Sequence, residues 1–373
     1  MLKVTKDVIL IENRFKLIRR IQEGARMKKY LLPATGKFYK AAMHVHTNIS
    51  DGGMSVEDMQ KAYVERGYSI VAFTDHEVFV THNDLSNENF LAINAVEVAI
   101  NDESKQAGGW PYLPTYHLNL YARRSDIDYS SVCTEASIYV EHSHQYMTPR
   151  MKQNVFEKDY TTESINKLIA AAVDDGFLVC YNHPLGSLQN YENYIGLKGL
   201  WAAEWFNSGS NNSGMIETIQ PIEDLLHKSE RVCPIAGDDS HGLNLVGYCF
   251  TMVKAECLDY NTVMDAFARG DFYSSTGPEI YDLYMEGNVV HISCSEAQKI
   301  FLTTERRVTF VKEAEQDSVT EAEFDLSDYI DKSHLTNETY QAAYFRLTVF
   351  DKYGKQAYTK AYFLTEVIDN QLK

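Results

Sequence analysis

The sequence has no apolar run of membrane-spanning length. Its opening stretch, "MLKVTKDVILIENRFKLIRR", alternates charged and apolar residues without the apolar core or small-residue cleavage site of a secretory leader. A cytoplasmic protein with no membrane partner is therefore expected. CxxC pairs are also missing. Cys133, Cys180, Cys233, Cys249, Cys257 and Cys294 are scattered, several inside apolar runs such as "FLVCYN", so neither a disulfide framework nor a thiolate metal site is expected. An excess of positive charge is lacking too. With 35 basic against 52 acidic residues the formal net charge is −17, which argues against a long nucleic acid as partner. No internal repeat, low-complexity tract or phosphate-cradling glycine loop appears. A small anionic substrate stays open, provided cations supply positive charge locally.

What is present is a chain of 373 residues, long enough for two domains or for one large barrel with an appendage. The first part, residues 1–36, carries the mixed pattern "VILIENRFKLIRRIQEGARMKK", which predicts an amphipathic helix ending near Pro33. From Phe38 to about Cys257 short strand-like runs ("YKAAMHV", "YSIVAFT", "FLAINAVEV", "YHLNLYA", "FLVCYN", "GLWAAEWF", "VCPIAG", "GYCFTMV") alternate with amphipathic stretches such as "TTESINKLIAAAVDDG". That alternation predicts parallel β/α units, and a closed β/α barrel over residues 37–277 fits them better than an open doubly wound sheet. Residues 278–373 read as short alternating strands separated by turn signals, with no long helix, and predict an all-β sandwich. Residues 123–160 read as an insertion between barrel elements.

Potential metal ligands fall at the ends of the strand-like runs. His44 and His46 close the first run and Asp51 follows five residues on; Asp75 and His76 follow the second; Glu97 closes the third. His117 lies in the fourth, His183 follows the fifth, and Asp239 and His241 follow "VCPIAGD". Residues two apart on a strand share a face, so His44 and His46 aim two imidazoles one way. In a β/α barrel all the C-terminal strand ends open on one face, so residues remote in sequence converge there. A single strand-end histidine is ordinarily a hydrogen-bonded structural residue; the conjunction is what points to metal. Imidazole plus carboxylate without thiolate suits Zn, Mn or Fe. A second His-x-His, His142 and His144, lies in the insertion without partner acids. Asp75 and Asp238 stand beside ligands, either as loop acids without a catalytic role or as groups that orient ligands or transfer protons. Glu204, Asn207 and Arg150 are candidates for substrate contact.

The motifs "MHVHTNISDG", "YSIVAFTDH", the glutamate of "NAVE", "YNHP" and "GDDSHG", in that order over about residues 38 to 245, resemble those of the PHP (polymerase and histidinol phosphatase) superfamily of metallophosphoesterases. The ending "ARGDFYSSTGPEI" followed by a β-rich segment resembles a bacterial subgroup with a C-terminal sandwich. The resemblance implies a distorted (β/α)7 TIM-like barrel with a two- or three-metal centre. Carried over, His44, His46, Glu97 and Asp239 would hold one metal, Glu97, His117 and His183 a second, and Asp51, His76 and His241 a third. Catalysis would rest on Asp75, Glu97 and Asp239. The implied reaction is hydrolysis of a small phosphorylated compound, a phosphoric ester, by a metal-bridging hydroxide. Attack on a carboxyl ester, carbamate or amide is the alternative, since a fold does not fix its chemistry.

Overall fold

A computed structural model of the chain describes residues 28–104, 112–135, 143–330 and 342–368. The apolar runs become strands β1 (Lys28–Tyr30), β2 (Lys37–Val45), β3 (Ile70–Phe73), β4 (Leu91–Asn101), β5 (Thr115–Ala122), β6 (Phe177–Tyr181), β7 (Ala202–Asn207), β8 (Cys233–Gly237), β9 (Phe250–Ala255) and β10 (Phe272–Ser275). They are followed by β11 (Ile280–Glu286), β12 (Val289–Ala297), β13 (Lys299–Thr304), β14 (Thr309–Glu313), β15 (Val319–Asp325), β16 (Tyr344–Phe350), β17 (Gln356–Thr359) and β18 (Tyr362–Phe363). Amphipathic stretches between the earlier strands become capped helices. Thr161 accepts from the Ser164 amide at the head of Thr162–Asp174, whose buried Ile165, Leu168, Ile169 and Ala172 follow the spacing of one helix face. Asp259 caps Tyr260–Arg269 in the same way, and Gly270 ends that helix at φ 73°, a conformation a side chain disfavours.

One sheet of 14 strands runs β14-β13-β16-β17-β10-β9-β2-β3-β4-β5-β6-β7-β8, with β18 beside β16. The closed barrel expected from the sequence is not what the ladders draw, because no ladder joins β8 back to β2. A single parallel bridge, Val45 to Ser240, draws those ends together. Beside it the Asp239 amide donates to His44 O (2.9 Å) and the His46 amide to Ser240 O (3.0 Å). The expected parallel alternation also breaks in the middle. β2–β3, β3–β4, β6–β7 and β7–β8 are parallel, whereas β5 is antiparallel to both β4 and β6. Gly108, Gly109, Pro111 and Pro114 lie between β4 and β5, a composition unsuited to the crossover helix that a parallel pair uses.

The strands after β10 do form two layers, but one layer is not separate. β11, β12 and β15 make a second antiparallel sheet with β1, in the order β1-β11-β12-β15. β13, β14, β16 and β17 instead extend the large sheet through the β10–β17 ladder, Tyr273 facing Thr359. Leu283 and Ile292 of one layer and Leu302 and Leu347 of the other share a core with Val45, Tyr63 and Phe73 of the earlier units. Between β10 and β11 the chain crosses from the large sheet to the four-stranded one, and the shared core runs across that point. Most of the helix expected in residues 1–36 lies outside the described residues, and Lys28–Tyr30 is a strand that pairs with Tyr284–Glu286. No helix among the described residues is long and apolar enough to cross a membrane.

Candidate metal centre

The end of β2 delivers the first two imidazoles. Its pairing with β3 slips between Ala42 and Val45, and His44 and His46 follow from there, both fully buried. The turn after His46 folds back on itself, the amides of Ser50 and Gly52 both donating to Thr47 O (3.1 and 2.9 Å), and this presents Asp51. Gly52 is required there, since a Cβ would lie 2.7 Å from the His46 carbonyl. His76 leaves β3 and bridges to Glu97 on β4. Ala99 faces His117 across the β4–β5 ladder, so Glu97, two residues away on the same face, meets His117 diagonally. His183 and Asp239 follow β6 and β8 at φ 23° and 51°, and Glu77, next to His76, sits at φ 62°. Among the described residues, three of the five non-glycine residues at positive φ thus stand at or beside this cluster, strain of the kind held at functional sites.

The donor atoms converge. His44 Nε2 and His46 Nε2 are 3.1 Å apart. Glu97 Oε2 is 3.3 Å from the first and 3.2 Å from the second, and Asp239 Oδ1 is 3.4 and 3.1 Å from them. These spacings match the edge of a tetrahedron with arms of about 2.0–2.1 Å, the usual reach of an imidazole or carboxylate to zinc. Glu97 Oε1 continues to His117 Nδ1 (3.1 Å) and His183 Nε2 (3.3 Å). Asp51 Oδ2 lies 3.4 Å from His241 Nε2 and 3.7 Å from His76 Nε2. Three groups have donor spacing fit for an ion: His44, His46 and Asp239; His44, Glu97 and His183; and His46, Asp51, His76 and His241. His117 belongs to none of these three, although it touches Glu97.

Hydrogen bonds prepare the imidazoles as ligands. Glu204 Oε1 takes His44 Nδ1–H at 2.8 Å, which leaves the Nε2 lone pair toward the cluster. The carbonyl of Asp239 can only accept, so His241 Nδ1, 3.0 Å away, carries the proton and Nε2 is again free to ligate. His183 Nδ1 meets Ser187 Oγ at 2.9 Å. Buried His46 Nδ1 makes no hydrogen bond and faces Asp51 Oδ1 at 3.5 Å. The site also asks for positive charge. Burial opposes a proton on His44, His46 and His183, yet Asp239 and Glu97 outweigh it, holding His44 well above the usual imidazole range and pushing His46 up to about 10 and His183 to about 9. Burial prevails at His76, which is drawn down to about 3. Burial likewise opposes charge on Glu97 and Asp239, but the surrounding imidazoles hold both carboxyls well below their ordinary range. Divalent cations fit this donor set and would take the place of those protons.

Other expected residues have different work. Asp75 does not face the cluster. Its carboxylate accepts from the Thr47 amide and hydroxyl (both 2.8 Å) and from the Ser50 hydroxyl (2.8 Å), which secures the turn carrying Asp51. Asp238 grips the loop after β8 through the amides of Gly247, Tyr248 and Cys249. Glu204 and Asn207 bond to each other and to the ligand-bearing chain: Glu204 Oε2 accepts from the His183 amide (3.0 Å) and from Asn207 Nδ2 (2.9 Å). Arg150 lies over the Tyr129 ring, 3.4 Å from its centroid, and makes no contact with the cluster. His142 is outside the described residues, and exposed His144 meets Lys152 at 3.5 Å. The sequence reading missed Asn182, which donates to Glu97 Oε1 at 2.8 Å, and Ser187. It also missed Gly237, where a Cβ would lie 2.0 Å from Glu204 Oε1. Asn182 and Ser187 flank His183 in "YNHPLGS", which is the signal that could have found them.

Solved structures with a similar course include a two-domain protein containing a predicted PHP-like metal-dependent phosphoesterase from Bacteroides vulgatus, at 13% identity over 90% of this chain and 98% of that one, with a TM-score of 0.42. An amidohydrolase from Chromobacterium violaceum with bound sulfate and no metal matches at 13% identity over 54% and 87% of the two chains, TM-score 0.30. The lesion-specific endonuclease PfuEndoQ from Pyrococcus furiosus matches at 12% over 62% and 56%, TM-score 0.41. No curated protein matches the chain. Residues 42–196 match the PHP domain family, a stretch that includes His44, His46, Asp51, His76, Glu97, His117 and His183 and ends before Asp239 and His241. Over residues 42–196 the chain is thus similar to the PHP domain family.

Proposed function

We propose that the chain is a metal-dependent phosphoesterase acting on a small phosphorylated substrate. The observation that carries this reading is the overlap of the three donor groups, which share His44 and His46 and are joined through Glu97. Closely spaced divalent ions supply Lewis-acid charge to a phosphoryl group and acidify a coordinated water. His44, His46, Glu97 and Asp239 would hold one ion, and Glu97 and His183, with His117 beside them, a second. Asp51, His76 and His241 would hold a third. Asp51 and His241 are the partly exposed members, about 30% and 36% accessible, so substrate enters on their side. Glu204 keeps the His44 ring in its ligating tautomer through any turnover, and Asp75 keeps Asp51 in reach.

Metal-loaded protein assayed against phosphomonoesters, phosphodiesters, single-stranded DNA, and a parallel set of carboxyl esters and amides tests the reading. Turnover of a small phosphate ester, lost with Asp239→Ala, is the expected result. Activity confined to esters or amides would overturn the phosphoesterase reading, and activity confined to DNA would overturn the small-substrate part.

A further inference from the structure

A cleft of about 500 Å³ lies where the loop after β8 meets the chain leaving β10 and the turn between β16 and β17. Two lysines line it, Lys40 from β2 and Lys355 from the β16–β17 turn, with Phe206, Tyr248, Phe250 and Tyr353 as aromatic walls. Such a volume is that of a small-molecule site, where apolar walls and a few polar groups fix one orientation. Neither lysine pairs with a carboxylate among the described residues. The half-buried Lys40 ammonium sits 4.1 Å above the Tyr68 ring and 5.0 Å from that of Phe250. Its one hydrogen bond, to the Arg66 carbonyl at 3.3 Å, leaves further N–H donors unspent. The Lys355 stem lies along Gly277, where a Cβ would come within 2.7 Å of its Cδ. Tyr248 and Tyr353 are 49% and 76% exposed, apolar surface left open beside two unpaired cations in a chain of net charge −17.

We propose that this cleft binds a small anion carrying a flat ring, its charged group between Lys40 and Lys355 and its ring against Tyr248 and Tyr353. The site is separate from the candidate metal centre but shares a wall with it. Asp238 accepts from the Gly247 and Tyr248 amides at 2.7 and 3.0 Å, and the next residue in the chain is Asp239. Lys40, Phe206 and Phe250 come from β2, β7 and β9, and Tyr353 and Lys355 from the turn between β16 and β17, which gives the C-terminal strands a part in ligand binding.

Calorimetric titration of the full chain with phenylphosphonate and with methylphosphonate tests the proposal in wild type, Lys355→Met and Tyr248→Ala. Lys355 is an exposed turn residue, and a melting curve establishes that each variant is folded. Loss of one charge-assisted contact is expected to weaken phenylphosphonate binding about tenfold in Lys355→Met. Tyr248→Ala is expected to abolish the preference for the phenyl over the methyl compound. Binding unchanged in Lys355→Met would place all the anion at the metal centre and overturn the proposal, as would absence of binding in wild type. A phenyl preference that survives Tyr248→Ala would overturn the assignment of the ring.

Discussion

His44 is tied on both sides: its Nε2 faces three other donors while its Nδ1 is bonded to Glu204. Glu204→Gln removes the acceptor's charge and is expected to lower metal affinity about 10- to 100-fold, measured by competition with a chromogenic chelator. Gly237→Ala acts on the same pair from behind, because its Cβ would sit 2.0 Å from Glu204 Oε1 and 2.9 Å from His44 Cβ. Overpacking of this sort costs about 1–3 kcal/mol, so Gly237→Ala should lower both the unfolding midpoint in urea and the bound metal per chain. Asp51→Ala separates the donor groups. Asp51 belongs only to the group with His46, His76 and His241, so elemental analysis should find one ion lost and the others kept. Equal loss of every ion would mean that the groups are not independent.

Between strands, the connecting segments hold the ligands in place, and they do so with buried charge. Glu77, beside His76, accepts from the Ala99 amide at 2.7 Å and from Lys158 Nζ at 2.6 Å, both side chains buried. That pair pins the β5–β6 connection onto the metal end of the sheet. Lys158→Met leaves the Glu77 carboxylate buried without its cation and should cost about 3–5 kcal/mol of folding stability, read from denaturant unfolding. At this scale the sequence was partly legible. Strand ends carrying His-x-His, Asp-His and Glu were visible because a strand has a two-residue period and stops at a recognisable turn. The antiparallel setting of β5 was not, since "YHLNLYA" is apolar in the same way whichever direction its neighbours run. The work of Asp75 and Glu204 was equally hidden, because an acid next to a ligand reads the same whether it faces the site or the backbone behind it.

Across the whole molecule, a ladder and a shared core join strands on either side of residue 277. β10 is paired on one side with β9 and on the other with β17, so a chain ending at Gly277 would expose a bare strand edge and the face of Trp205 that Tyr358 covers. Such a fragment is expected to aggregate on size-exclusion chromatography, and a soluble monomer with native-like circular dichroism would contradict that. The β-rich character of residues 278–373 was readable from its turn signals. Its continuity with the large sheet was not, because strand partners distant in sequence leave no mark in local pattern. The pairing of β1 with β11 has a consequence for synthesis. Leu31 and Leu32 both donate their amides to the Leu283 carbonyl and lie in the core. About 250 further residues must leave the ribosome before those amides meet their acceptor, roughly a quarter of a minute or more at about 5–20 residues per second. Through that interval the nascent chain carries two leucines with no native place to go, so the start of this protein depends on whatever shields emerging apolar segments until its far end arrives.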